Sequence, residues 1–166
     1  YLMNELEKFL EKVDPSKIGY FTFSKNAAQE GKSRAMEKFN LTEKDLPYFR
    51  TLHSFCFNLL GLKKENVMQE KDYRDLGKDI QIEFEGIRYD NDHEGVLHSK
   101  DPYISLISLA RNKRISPLEL YNRNGNNYNI TYDKLEIINK ELYRYKKQKG
   151  LIDFIDMLEK FLDKGE

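Results

Sequence analysis

Two short blocks put hydroxyl groups where an anion could be held. Thr22-Phe23-Ser24-Lys25-Asn26 and Thr51-Leu52-His53-Ser54 each close a predicted strand and open a predicted helix. A helix N-terminus exposes unpaired N–H groups and partial positive charge, which favours phosphate oxygens. Hydroxyls beside it can donate to the same oxygens. Taken alone, Ser24 and Thr51 read first as plain caps, in which the side-chain oxygen accepts from an N–H of the first turn. Phe23 is either a core ring or a platform for a base, a contact worth about 1–3 kcal/mol. Thr22 and Asn26 offer backbone or base-edge contacts, and Lys25 a point charge. His53 could donate to a phosphate or bond to backbone within a core. No Ser or Cys nucleophile constellation accompanies it, so no residue reads as catalytic.

Other groups invite chemistry and carry less of it. Asp153 and Asp156, with Phe154 between them, are three apart and share a helix face. Paired carboxylates suit a metal or acid–base work, but a surface or network role is the stronger expectation. The basic run Arg144, Lys146, Lys147 and Lys149, helped by Arg111, Lys113 and Arg114, suits duplex phosphates and would make binding salt-sensitive. Asp90, Asp92, His93, Glu94 and His98 surround Gly95 without fixed ligand spacing, so a solvated turn is expected. With one cysteine, Cys56, and three histidines, no zinc spacing exists. Gly31-Lys32-Ser33 imitates the end of a phosphate loop. The loop's first glycine is replaced by Asn26, however, and Ala27-Ala28-Gln29-Glu30 favours helix.

The elements that must carry these groups alternate. Leu2, Leu6, Phe9, Leu10 and Val13 recur at helical spacing. No capping residue precedes them, which suggests a chain that begins inside an element, a fragment. Asp14-Pro15-Ser16 makes a turn. Ile18 to Ser24 reads as a short strand buried on both faces. A helix follows to about Phe39, then a short strand near Pro47 to Arg50, then a helix bearing Leu52, Phe55, Cys56, Leu59 and Leu60 on one side. That order is α/β grammar with a parallel sheet. Beyond Lys63 the chain turns mostly helical. It has an extended stretch at Ile80 to Tyr89, a helix at Ile104 to Ala110, a capped start at Ser116-Pro117 and a polar turn from Asn122 to Asn129. An amphipathic helix through Leu135, Ile138, Leu142 and Tyr145 is stopped by Gly150. A last helix carries Leu151, Ile155, Leu158 and Leu162.

Composition sets outer limits. The 166 residues are 39% hydrophobic and 34% charged, enough for one domain or a domain with an insertion. No apolar run is long enough to cross a membrane, and a lone cysteine makes a reducing, cytoplasmic setting the default. Formal charge is zero, yet residues 101–150 carry 10 Lys and Arg against 5 Asp and Glu. On charge alone a set of solvated helix faces is the favoured reading of that imbalance, ahead of an anionic partner.

Three blocks together resemble the UvrD/Rep/PcrA-type superfamily 1 DNA helicases. Phe21-Thr22-Phe23-Ser24-Lys25-Asn26-Ala27-Ala28 is similar to that family's motif Ia, and Thr51-Leu52-His53-Ser54-Phe55-Cys56 to its motif Ib. Leu151-Ile152-Asp153-Phe154-Ile155-Asp156-Met157-Leu158 is similar to its DFDDL block. Lys25-Asn26 inverts the usual order, and Ile155 replaces the first acid of the usual Asp-Asp.

The resemblance implies a partial RecA-like parallel sheet over residues 1–65 and a mostly helical insertion subdomain over 66–149. Residues 150–166 would return to the RecA-like part. It implies an ATP-driven translocase as parent, typically moving 3′ to 5′, with ATP and Mg bound by motifs outside these residues. It assigns Thr22, Phe23, Ser24, Asn26, Thr51, His53 and Ser54 to single-stranded DNA, and Arg144, Lys146 and Lys147 to the duplex junction. Asp153, Phe154 and Asp156 would link the DNA and nucleotide motifs. A stand-alone nucleic-acid-binding or adaptor protein and a RecB/AddA-type helicase–nuclease are the alternatives. Uncovered sheet edges lead to an expectation of self-association.

Overall fold

The computed structural model describes residues 2–89, 97–124 and 129–163. Contacts divide the chain into two units, Tyr1–Gly61 and Leu62–Glu166, with residues 150–163 in the second.

In the first unit, helix α1 (Leu2–Leu10) buries Leu6, the residue its helical spacing points inward. Asp14 then caps a 3-10 turn, its carboxylate accepting from Ser16 N–H at 2.9 Å. Strand β1 (Tyr20–Thr22) leads into helix α2 (Lys25–Phe39) and strand β2 (Phe49–Thr51) into helix α3 (Leu52–Leu59). The strands pair in parallel, Tyr20 opposite Phe49, Phe21 opposite Arg50 and Thr22 opposite Thr51. Partners in a parallel ladder share a face. Tyr20 and Phe49 face a core with Leu6, Ala35 and Leu46, and their ring centroids are 5.3 Å apart. Small residues let α2 lie close: a Cβ on Gly31 would collide with the Tyr20 ring.

The expected strand from Ile18 to Ser24, buried on both faces, is shorter and one-sided. Phe21 is 41% exposed, because α2 covers only the Tyr20 side and the sheet has two strands. Parallel strands are buried on both faces when both are covered by other elements.

The second unit is helical: α4 (Glu70–Asp79), α5 (Pro102–Asn112), α6 (Pro117–Asn124), α7 (Tyr132–Lys149) and α8 (Phe154–Asp163). Between α4 and α5, strands β3 (Arg88–Tyr89) and β4 (Leu97–His98) pair antiparallel. The expected extended stretch from Ile80 forms a ladder only at its end. Ile82 N–H instead returns to Gly77 carbonyl at 2.8 Å, and Gln81 has φ +57°. Asp101 caps α5 by accepting from Tyr103 and Ile104 N–H, and Ser116 accepts from Glu119 N–H at 3.0 Å at the start of α6. Gly150, at φ +65°, ends α7 in the left-handed conformation that glycine adopts without strain. Met68, Tyr73, Leu76, Ile104, Leu106, Leu135, Ile138 and Leu142 are among the residues forming the core. A lone parallel bridge joins Val67 to Ile152.

The architecture is mostly helical with a small parallel sheet, compatible with the α/β class. Among the described residues, no helix is long and apolar enough to cross a membrane.

Candidate nucleic-acid interface

Pairing of β1 with β2 brings the two hydroxyl blocks together. Thr22 and Thr51 are register partners on strands that lie about 4.8 Å apart. Each strand gives way to a helix at its carboxyl end, so the N-termini of α2 and α3 open at the same sheet edge. Ligands of open α/β sheets gather at this edge.

At β1, Thr22 is half-buried and its hydroxyl donates to Ser24 carbonyl at 2.6 Å, bending the chain out of the strand. Ser24 is exposed and accepts from Ala27 N–H at a long 3.4 Å, a loose cap that leaves the oxygen accessible. Lys25 and Asn26 are exposed. Phe23 is 76% exposed and is therefore not a core ring.

At β2, the arrangement is tighter. Thr51 is 3% exposed and accepts from Ser54 N–H at 3.2 Å. Thr51, expected at nucleic acid, is a buried cap whose hydroxyl accepts within the first turn of α3 and orients that helix. His53 and Ser54 are half-buried on the first turn of α3.

Sequence reasoning passed over the rings on the other face of β1. Phe21 lies 4.6 Å from Phe55, and Phe55 lies 5.9 Å from Tyr48, centroid to centroid. Within β1, Phe21 lies on the face opposite Tyr20. That alternation was the signal available.

In the second unit, burial separates the basic residues by role. Lys146 is 7% exposed, and its ammonium donates to Asp153 at 2.6 Å and Asp156 at 2.7 Å. Arg111 donates to Asp153 at 2.8 Å, Asp156 at 2.6 Å and Glu159 at 2.7 Å. Both were expected at duplex phosphates; in the structure they donate to Asp153 and Asp156, and Arg111 also to the half-exposed Glu159. Lys146 falls four residues after Leu142, on the apolar stripe of α7, which already pointed inward. Arg144 and Lys147 face solvent, Arg144 with an ion pair to Glu141 at 3.2 Å. Lys113 and Arg114 are exposed too.

Burial alone would push the Asp153 carboxyl up, but Lys146 and then Arg111 outweigh it and hold it below its ordinary value. Burial likewise opposes the Arg111 charge, and Asp153, Glu159 and Asp156 overcome it, raising its pKa further. Asp153 and Asp156 also cap one another's backbone, Asp153 N–H to Asp156 and Asp156 N–H to Asp153, both at 2.8 Å. Both carboxylates are ion-paired to the same two cations, Lys146 and Arg111.

Nucleotide and metal chemistry find no matching arrangement in the described residues. Gly31-Lys32-Ser33 lies in mid-helix of α2, and Lys32 is ion-paired to Glu43 at 3.5 Å, so these residues do not fit a phosphate loop. No group of three or more His, Cys, Asp or Glu among the described residues is placed to hold a metal ion. Asp90, Asp92, His93 and Glu94 lie outside the described residues, as does most of the predicted polar turn before Asn129.

Neither a curated protein nor a solved structure matches the chain. A family model does: the UvrD/REP helicase N-terminal domain matches residues 3–164. That span takes in both strand-end hydroxyl blocks and the Asp153–Asp156 pair, and the chain belongs to the UvrD/REP helicase N-terminal domain family.

Proposed function

We propose that this chain forms part of an ATP-driven DNA helicase or translocase and supplies its grip on single-stranded DNA. One observation carries the reading: Thr22 and Thr51 are register partners, so two helix N-termini open at one sheet edge beside an exposed Phe23. A strand crossing that edge would meet N–H groups and the Ser24 hydroxyl at its phosphates. Phe23 would stack on a base whatever its identity. Asn26, His53 and Ser54 flank the crossing, and Thr51 holds the α3 terminus in place. The helical unit would meet the duplex junction through Arg144 and Lys147.

In this reading ATP hydrolysis, assisted by Mg, would supply the energy for stepping. The chain's own part is to hold the strand. In this reading residues 1–65 are a piece of a RecA-like domain, 66–149 its insertion, and 150–166 the way back, in a cytoplasmic protein.

The test is binding of a labelled oligothymidylate to the whole chain by fluorescence anisotropy at fixed low salt. Phe23→Ala should weaken binding by about 1–3 kcal/mol with an unchanged circular dichroism spectrum. Equal affinity of the two proteins, or no binding by either, would overturn the proposal.

A further inference from the structure

The sheet face that α2 leaves open carries one cation among rings. Arg50 is the register partner of Phe21, so the two side chains stand side by side, opposite the face of Tyr20 and Phe49. Phe21 packs on Phe55 of α3, with centroids 4.6 Å apart, and Tyr48 braces Phe55 edge-on at 5.9 Å. Gly19 seats the Phe21 ring, because a Cβ there would stand 2.7 Å from it. The ring is thus held in place and is still 41% exposed.

Arg50 itself is half-buried. Among the described residues no carboxylate pairs with it, and no acceptor meets its buried Nε–H. Arg111, by contrast, is withdrawn from solvent and holds three carboxylates. A charge drawn out of water without a counter-ion is costly, and it gains from an incoming oxyanion through charge-assisted hydrogen bonds.

We propose that Arg50 and Phe21 form a second subsite for single-stranded DNA, Arg50 taking a phosphodiester oxygen and Phe21 a neighbouring base. The inference rests on the proposed DNA grip and extends it one residue back from the strand ends, onto the open sheet face. Charge complementarity selects this occupant. An apolar partner would seal Arg50 in unpaired, and a purely acidic one would leave the rings unused. A nucleotide offers both an anion and a π-face.

Anisotropy of a labelled oligothymidylate with the whole chain, titrated over a range of salt, tests it. Arg50→Met should weaken binding about fivefold or more and make the slope of log K against log salt shallower by about 0.7, one phosphate contact on a single strand. Its melting temperature should hold or rise, since an unmatched buried donor is removed. A fall would mark a structural arginine and overturn the subsite. Arg50→Lys keeps the charge and should keep the native slope. Phe21→Leu should weaken oligothymidylate binding about fivefold or more, while an abasic strand of equal length stays within about twofold. An unchanged slope in Arg50→Met would overturn the subsite; if Phe23→Ala still weakened binding, the grip at the strand ends would stand without it. No binding by the native chain would overturn both. If Arg50→Met does not fold, Arg50→Gln decides by the same slope.

Discussion

Asp153 carries the heaviest consequence of any single side chain here. It is 9% exposed, shared between Lys146 and Arg111, and held below its ordinary pKa chiefly because those cations outweigh its burial. A carboxyl depressed in the folded state stabilises the fold above its unfolded pKa, and that stability is lost as pH falls through the depressed value. Asp153→Asn leaves the buried Lys146 and the half-buried Arg111 short of a partner, so a loss of about 3–5 kcal/mol is expected at neutral pH. Because Asp156 remains, the low end of that range is the firmer expectation. Urea melts at pH 7 and at acid pH check this: the two proteins should differ most at pH 7 and converge on acidification. Identical midpoints at pH 7 would remove the cluster from the stability account. Phe23 is the converse case, a ring whose exposure makes it dispensable to the fold.

Among the elements, α2 and α7 show how one helix serves two masters. On α2, Gly31 is the residue that allows contact with β1. Alanine there would gain about 1 kcal/mol of helix propensity. It would also drive a methyl group into the Tyr20 ring, itself pinned against Phe49. Overpacking of this kind costs about 1–3 kcal/mol, so Gly31→Ala should lower the melting temperature; a rise would show that the ring yields. On α7, the 3.6-residue period sends Lys146 inward and leaves Arg144 and Lys147 outside. If those two meet phosphates, Arg144→Gln and Lys147→Gln should each reduce the salt slope of binding to a forked duplex by about 1. Lys146→Gln should instead lower the melting temperature. Unchanged slopes in both surface variants would exclude α7 from the duplex contact.

At the scale of the molecule, the two units are unequal. The first rests on Leu6, Ala35, Leu46 and Phe49 around two strands of three residues each. The second has a larger core drawn from α4, α5, α6 and α7. The first unit should therefore melt at lower denaturant, seen as earlier loss of the Tyr20 and Phe49 signals than of Ile138 and Leu142 by NMR. A single coincident transition would show the units to be one cooperative body. The first unit also exposes Phe9, Phe21, Tyr48 and Leu59. Apolar surface of this sort promotes association, so light scattering should show a mass that rises with concentration, and a constant monomer mass would count against it.

What the sequence determined by itself was local. Ser24, Thr51 and Ser116 cap helices, Gly150 stops one, and the strand–helix alternation of the first sixty residues is as expected. Each depends on hydrogen bonds and backbone preferences spanning a few residues. The three motif blocks were equally legible, being contiguous. Tertiary structure alone decided that Thr22 faces Thr51 across the sheet and that Phe21 stays half-open. It alone joined Arg111 to Asp153, 42 residues away. Register and ion pairing are set by which distant segments meet and how much water they exclude. No local preference encodes that, so the partners of Arg111 and Lys146 came from the fold alone.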